Sequence, residues 1–292
     1  MMLEFDWLIH YRCNYRCPYC VFEGMWPEVE KYAVDISVDK WLSAWQRVYS
    51  QNGEFRLTIT GGEPFEYPSF GVLLKTLSKI SLVSFDTNLS CSMDELQAII
   101  SQVDPRRIFM GLSFHPTHAR LDAFMIKAEY LKRSGIDCRV HFVAYPPHLN
   151  RINELKTKFA NAGFRFVPIP FRGVFNGLLY PQGYSVQEKS LLYEVTRTLT
   201  QQDKIWAEQQ IVQVRSQDKW CHAGQYYARV DFDGTVYPCG NDFTKSREKY
   251  VVGNILDDSF SLRATPMQCR QDTCPCEFKW IVKETTYNDQ KA

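Results

Sequence analysis

Short β-rich runs alternate with helical patterns over the first 170 residues, and this regularity restricts the possible folds more than any other feature. Phe5 to Arg12 reads as the first strand and Phe55 to Thr60 as the second. Leu82–Asp86, Ile108–Phe114, Cys138–Ala144 and Phe164–Ile169 follow in the same style. Between them lie helical patterns at Asp39–Tyr49, Ser69–Ile80, Met93–Val103, Ala119–Ser134 and Leu149–Asn161. Gln51-Asn52-Gly53, Gly135 and Gly163 supply stops. Six β-then-α units of about 25 to 35 residues demand right-handed crossovers and a parallel sheet with its helices outside. In such an architecture the ligand site belongs at the carboxyl ends of the strands.

The first strand end carries Cys13-Asn14-Tyr15-Arg16-Cys17-Pro18-Tyr19-Cys20, three of ten cysteines within eight residues. Thiolates on so short a loop can converge on one soft metal centre. Structural zinc wants four protein ligands, so three leave a position open for chemistry. A partial zinc knuckle or unrelated buried thiols are the plainer alternatives. The second strand ends at Gly61-Gly62-Glu63-Pro64, where two glycines let backbone approach a ligand and Glu63 adds a carboxylate. A simple tight turn would use the same residues.

Later strand ends add further candidates. Thr87 and Asn88 follow the third strand, and Ser113 closes the fourth, either at a ligand or as a satisfied core hydroxyl. His115 and His118 flank Pro116-Thr117 at the same mouth. They read as substrate contacts, as a metal pair lacking a third ligand, or as part of a helix cap with Thr117. Arg172, after the sixth strand, can anchor a substrate carboxylate or phosphate, or can simply be a surface residue. Residues 174 to 184 read as a loop over the mouth, and Ser185 to about Glu208 as a helix with Gln187 or Glu188 near a Ser185 cap.

A second cysteine region spans 221 to 276. Tyr226–Phe232 and Thr235–Tyr237 flank Asp233-Gly234, a hairpin signal with Cys221 and Cys239 at its two bases. Val251–Ile255 gives a short strand and turn, and Cys269, Cys274 and Cys276 complete five thiols for a site that needs four. A zinc knuckle accounts for four of them equally well.

Cys13-x3-Cys17-x2-Cys20, with Tyr19 just before the last cysteine and Gly61-Gly62-Glu63-Pro64 downstream, resembles the signature of the radical S-adenosylmethionine (radical SAM) superfamily. The resemblance implies an α/β fold, a partial (β/α)6 TIM-like barrel with a small C-terminal α+β iron-sulfur domain containing a β-hairpin. It implies that Cys13, Cys17 and Cys20 hold a 4Fe-4S cluster whose open iron is chelated by S-adenosylmethionine (SAM). Glu63 and the Gly61–Pro64 backbone would hold the SAM amino group, and Ser113 its ribose or carboxylate. Tyr19 joins this cofactor-binding set, and Tyr145, after the fifth strand, would wall adenine or substrate. Thr87 and Asn88 match a Thr-Asn-Gly turn of relatives, and Leu89 in place of glycine predicts an altered turn.

Cys221-x12-Gly234-x4-Cys239 resembles the start of the auxiliary-cluster domain called SPASM in its long form and Twitch in its short form. Five cysteines suit the short form, giving two 4Fe-4S clusters in all. The closing spacing Cys269-x4-Cys274-x1-Cys276 departs from the usual x2. Cys221 and Cys239, then Cys269 and Cys276, are the expected ligands, with Cys274 either a ligand or a spare catalytic thiol that returns a hydrogen atom to a substrate radical. Cys91 and Cys138 read as core or cap-adjacent thiols. The expected division is a barrel with connecting helix over 1–214 and the auxiliary domain over 215–292.

The activity so implied is reductive SAM cleavage to a 5′-deoxyadenosyl radical, fed by an electron donor such as flavodoxin or ferredoxin, with oxidation of a small sugar-like or cyclitol substrate. Alternatives are an epimerase with a cysteine hydrogen donor, a peptide-modifying enzyme, or a non-enzymatic zinc or Fe-S module. The cysteine motif begins at residue 13, which leaves no leader-binding module ahead of it and disfavours leader-dependent peptide work. A net charge of +1 predicts no charge-driven nucleic-acid binding. Without a membrane-length apolar run or a basic amino-terminal signal, a cytoplasmic protein is expected.

Overall fold

The computed structural model describes residues 1–29, 36–197, 199–201, 214–240, 250–274 and 280–282. Strand β1 (Leu3–His10) buries Phe5, Trp7 and Ile9 on one face, while Glu4 and Asp6 on the other face are half-buried. After a single turn, α1 (Trp26–Val29), helix α2 (Val38–Asn52) lays Trp41 and Trp45 on Trp7, with ring centroids 4.6 and 5.5 Å apart. Such aromatic pairs add ~0.5–1.5 kcal/mol beyond the area they bury. Gly53 ends the helix at φ 76°.

The chain continues through β2 (Phe55–Gly61), α3 (Phe70–Leu77), β3 (Ser81–Thr87), α4 (Met93–Ile100), β4 (Ile108–Ser113), α5 (Leu121–Arg133), β5 (Asp137–Ala144), α6 (Ile152–Asn161) and β6 (Arg165–Pro170). Strands β1 to β6 are parallel and adjacent in sequence order, the partial (β/α) barrel expected from the alternation. Leu149 belongs to a 3-10 turn over Pro146–Arg151 that leads into α6.

Two segments differ from expectation. The stretch read as a loop contains a hairpin, β7 (Gly173–Phe175) and β8 (Leu178–Tyr180), joined by Asn176 and Gly177 at φ 49° and 75°. Two successive left-handed residues are what a tight two-residue hairpin requires, and Asn-Gly supplies them. Helix α7 (Val186–Thr196) opens on a capping box between Ser185 and Glu188 but ends at Thr196. The end expected at Glu208 lies outside the described residues.

In the C-terminal segment, β9 (Val214–Arg215) pairs with β15 (Thr273–Cys274), and β10 (Trp220–Cys221) with β14 (Met267–Gln268). The Asp233-Gly234 hairpin forms as β11 (Tyr227–Val230) and β12 (Thr235–Tyr237), with β13 (Gly253–Asn254) beside it. This hairpin does not stand alone. Strand β11 runs parallel to β1, from Glu4↔Tyr227 to Trp7↔Val230, so one nine-stranded sheet runs β13-β12-β11-β1-β2-β3-β4-β5-β6. A partial barrel leaves the outer edge of β1 unpaired, and β11 satisfies it while burying Ala228, Val230 and Val236 completely. Among the described residues no helix is long and apolar enough to cross a membrane.

Candidate functional site

Four consecutive strand ends interlock at the barrel mouth. Beyond β1, the carbonyls of His10 and Arg12 accept from the N–H groups of Gly62 and Glu63 at 2.9 and 2.8 Å, and His10 Nε2 lies 2.9 Å from the Glu63 carbonyl. This explains the glycine pair. A Cβ on Gly61 would sit 2.2 Å from the His10 carbonyl oxygen, and one on Gly62 would sit 1.7 Å from that of Arg12. The close approach is therefore first to the cysteine loop, which the turn clamps.

Glu63, only 1% exposed, reaches the end of β3. Its Oε1 accepts from Thr87 Oγ1 at 2.7 Å and from the Phe65 N–H at 3.3 Å, and its Oε2 from the Asn88 N–H at 2.7 Å. The Asn88 amide donates to Asn14 Oδ1 at 3.0 Å and lies 3.9 Å from Cys13 Sγ, tying β3 to the cysteine loop. Leu89 takes φ 54°, the left-handed conformation that glycine would supply. A strain of ~1–2 kcal/mol is offset by burying the leucine side chain.

The end of β4 closes the ring of contacts. Ser113 is half-buried there. Past it, His115 Nδ1 lies 3.6 Å from Cys17 Sγ and 3.2 Å from Tyr19 Oη, and its ring stacks on Tyr19. His118 stacks on Tyr15 at 4.6 Å. Helix α5 is capped by Arg120, without a side-chain bond, so the two histidines and Thr117 form no helix cap. Tyr145, after β5, sits among Tyr19, Phe171 and Phe175 with ring centroids 5.0 to 5.3 Å away. The β7–β8 hairpin thereby joins the same aromatic wall. Arg172 is exposed at the end of β6.

Burial dominates the electrostatics. It pushes the Cys17 thiol up to about 12 and raises Cys13 and Cys20 as well. Burial also lifts the Glu63 carboxyl to about 7 against the pull of its three donors, and lowers His115 to about 4. Among the described residues no cationic side chain pairs with Glu63. Three thiols, one buried and two half-buried, and a buried carboxylate without a cationic partner suit a cationic centre and the N–H groups of an amine respectively, so the residues fit an iron-sulfur cluster with SAM. Among the described residues no three His, Cys, Asp or Glu side chains are gathered closely enough for a single metal ion. A 4Fe-4S cubane binds each thiolate to a different iron and so takes a wider set of ligands.

The sequence reading missed a polar group inside the barrel. Asp86 Oδ1 lies 3.1 Å from His141 Nδ1, and Arg139 Nε donates to His141 Nε2 at 2.7 Å. Gly111, on the strand between them, makes this possible, since its Cβ would fall 1.7 Å from Asp86 Oδ1 and 2.6 Å from His141 Cε1. The Asp86 side chain is 56% exposed, whereas His141 is buried. Burial disfavours its charge, but His141 and Arg139 more than offset this and hold the carboxyl below the usual range. Gly111→Ala is expected to cost ~1–3 kcal/mol by overpacking, read as a lower denaturant midpoint with an unchanged slope.

The second cysteine region also converges. Cys221 on β10 is flanked by Cys269, Cys274 and Cys239, and burial pushes its thiol up to about 12. The β10–β14 pairing sets Cys269 just beyond Met267–Gln268, and the β9–β15 pairing holds Cys274. Cys274 thus stands with the auxiliary thiols, and Cys276 lies outside the described residues. Tyr227 stacks on Trp280 at 5.5 Å and donates to Asp6 Oδ2 at 2.5 Å, coupling this region to β1. Cys91 and Cys138 are buried, their thiols raised by burial to about 12 and about 11, as core residues.

Comparison with known proteins agrees with this geometry. Residues 7–151 match the radical SAM superfamily, and residues 221–264 match SPASM, an iron-sulfur cluster-binding domain. Streptococcus suis SuiB bound to S-adenosylmethionine superposes with TM-score 0.60 at 17% identity, over 88% of this chain and 64% of that one. SuiB bound to the precursor peptide SuiA gives 0.57 at 18%, over 83% and 61%. Native anSMEcpe with bound AdoMet and Cp18Cys peptide gives 0.61 at 17%, over 88% and 78%. The chain therefore spans less than two thirds of the SuiB structures. No curated protein matches it.

Proposed function

The chain is a radical SAM enzyme, with a radical SAM domain followed by a SPASM domain, and on that premise we propose that it oxidatively modifies a peptide. The observation carrying this reading is the likeness of fold to SuiB and anSMEcpe, each captured with a peptide. It is preferred to a sugar-like substrate for that reason. When bound, the first cluster and SAM supply a 5′-deoxyadenosyl radical that removes a substrate hydrogen atom.

The chain's own residues have distinct tasks in this reading. Cys13, Cys17 and Cys20 hold the first cluster, and the clamp from His10 and Arg12 to Gly62 and Glu63 fixes their loop. Glu63, steadied by Thr87 and Asn88, accepts from the N–H groups of the SAM amino group. Gly61 and Pro64 shape that turn, and Ser113 faces the cofactor from β4. Tyr19 and Tyr145 exclude water along one wall, while His118 and Arg172 meet the substrate. Cys221, Cys239 and Cys269 hold an auxiliary cluster, with Cys274 or Cys276 as fourth ligand. The position of Cys274 among these thiols favours that role over hydrogen return to a substrate radical.

The test is substrate-dependent 5′-deoxyadenosine formation by the reduced, reconstituted enzyme. It would be screened against short Cys-, Ser- and Lys-bearing peptides and, separately, sugars and cyclitols. Acceleration by peptides, with a mass loss of ~2 Da for a two-electron oxidation, is expected. Acceleration by sugars or cyclitols alone would replace the peptide reading with a small-molecule dehydrogenase.

A further inference from the structure

We propose that the Nδ1–H of His115 donates a hydrogen bond to the sulfur of Cys17 and thereby raises the reduction potential of the cluster that Cys17 holds. The inference rests on the reading of Cys17 as a ligand of the first cluster.

Its physical basis is local. His115 Nδ1 lies 3.6 Å from Cys17 Sγ, and the ring is clamped between two tyrosines. Tyr19 stacks on it at 5.7 Å and 20°, and Tyr15 meets it edge-on at 6.0 Å and 89°. The turn beneath is fixed as well, since the His115 carbonyl accepts from the His118 and Ala119 N–H groups at 3.0 and 2.8 Å. A sulfur bound to iron has no proton to give, so between it and the imidazole only the Nδ1–H can donate; the Tyr19 hydroxyl, 3.2 Å from the same nitrogen, is the second donor that faces Cys17. An N–H dipole with its positive end on a ligand sulfur stabilises the electron added on reduction. Cys13 differs, because it receives the Tyr15 backbone N–H at 3.4 Å and faces the Asn88 amide at 3.9 Å. His115 is thus a positioning residue that can be changed without touching the cysteine loop's backbone.

The experiment is an EPR-monitored redox titration of the full-length reconstituted protein, following the signal that changes on SAM addition. Only a cluster with an open iron responds to SAM, which separates it from the auxiliary cluster. His115→Phe keeps a stacking ring without a donor, and His115→Leu is a second donor-free variant. His115→Asn keeps an N–H near the Nδ1 position. The expected result is a more negative midpoint for the donor-free variants and a midpoint close to wild type for His115→Asn. Unchanged midpoints in the donor-free variants would overturn the proposal, as would an equal shift in all three. A wild-type protein without any SAM-responsive cluster would instead overturn the underlying assignment of Cys17.

Discussion

Cys17→Ala is expected to abolish 5′-deoxyadenosine formation while leaving the auxiliary cluster in place, lowering iron from about eight to about four per chain. Cys17 is the most deeply buried of the three mouth cysteines. It sits where the first loop meets His115 of the fourth, so its loss removes a ligand and a junction together. A cubane with two remaining protein ligands is labile. The substitution is small and buried, and the far thiols around Cys221 do not share this loop. Iron and sulfide analysis with EPR would read the loss directly. Retention of about eight irons together with SAM cleavage would remove Cys17 from the ligand set.

Glu63→Gln is expected to weaken SAM binding by ~10–100-fold, the worth of one hydrogen bond to a charged group. It should also flatten a pH dependence. The buried carboxyl titrates near about 7 in the folded protein against 4.5 ordinarily. Between those values the folded state holds a proton that the unfolded state has released. Stability without SAM therefore falls as pH rises from about 4.5 to about 7, by at most ~1.4 kcal/mol per pH unit from this group. The N–H groups of the SAM amino group donate better to the ionised carboxylate, so Glu63 ionisation adds to SAM affinity over the same window. Equilibrium binding and thermal melts at several pH values, with and without SAM, would show both trends more steeply in wild type than in Glu63→Gln. Identical profiles in the two proteins would leave Glu63 without the assigned role.

How far the sequence could be read depended on whether the signal was local. The cysteine loop, the Gly61–Pro64 turn and the six strands are legible because spacing, glycine placement and alternation sit within short stretches. Asn176-Gly177 was equally local, yet the tyrosines and prolines around it read as a loop and masked the hairpin. The Asp86–Gly111–His141 arrangement is of another kind. Asp86 and His141 meet only because β3, β4 and β5 align in one register with a glycine between them. No single stretch carries that information. The union of β11 with β1 is similarly hidden, since Glu4 and Tyr227 pair across more than two hundred residues. Leu89 is a residue whose type argued for a changed turn and whose backbone takes a positive φ while its side chain is buried.

The central claim is that Cys13, Cys17 and Cys20 form a SAM-cleaving iron-sulfur site. Its most direct test is anaerobic reconstitution, reduction with dithionite and addition of SAM, with methionine and 5′-deoxyadenosine quantified beside iron, sulfide and zinc. About eight irons per chain, an EPR signal that shifts on SAM binding, and equal yields of methionine and 5′-deoxyadenosine are expected. Stoichiometric zinc without iron, and no 5′-deoxyadenosine, would contradict it.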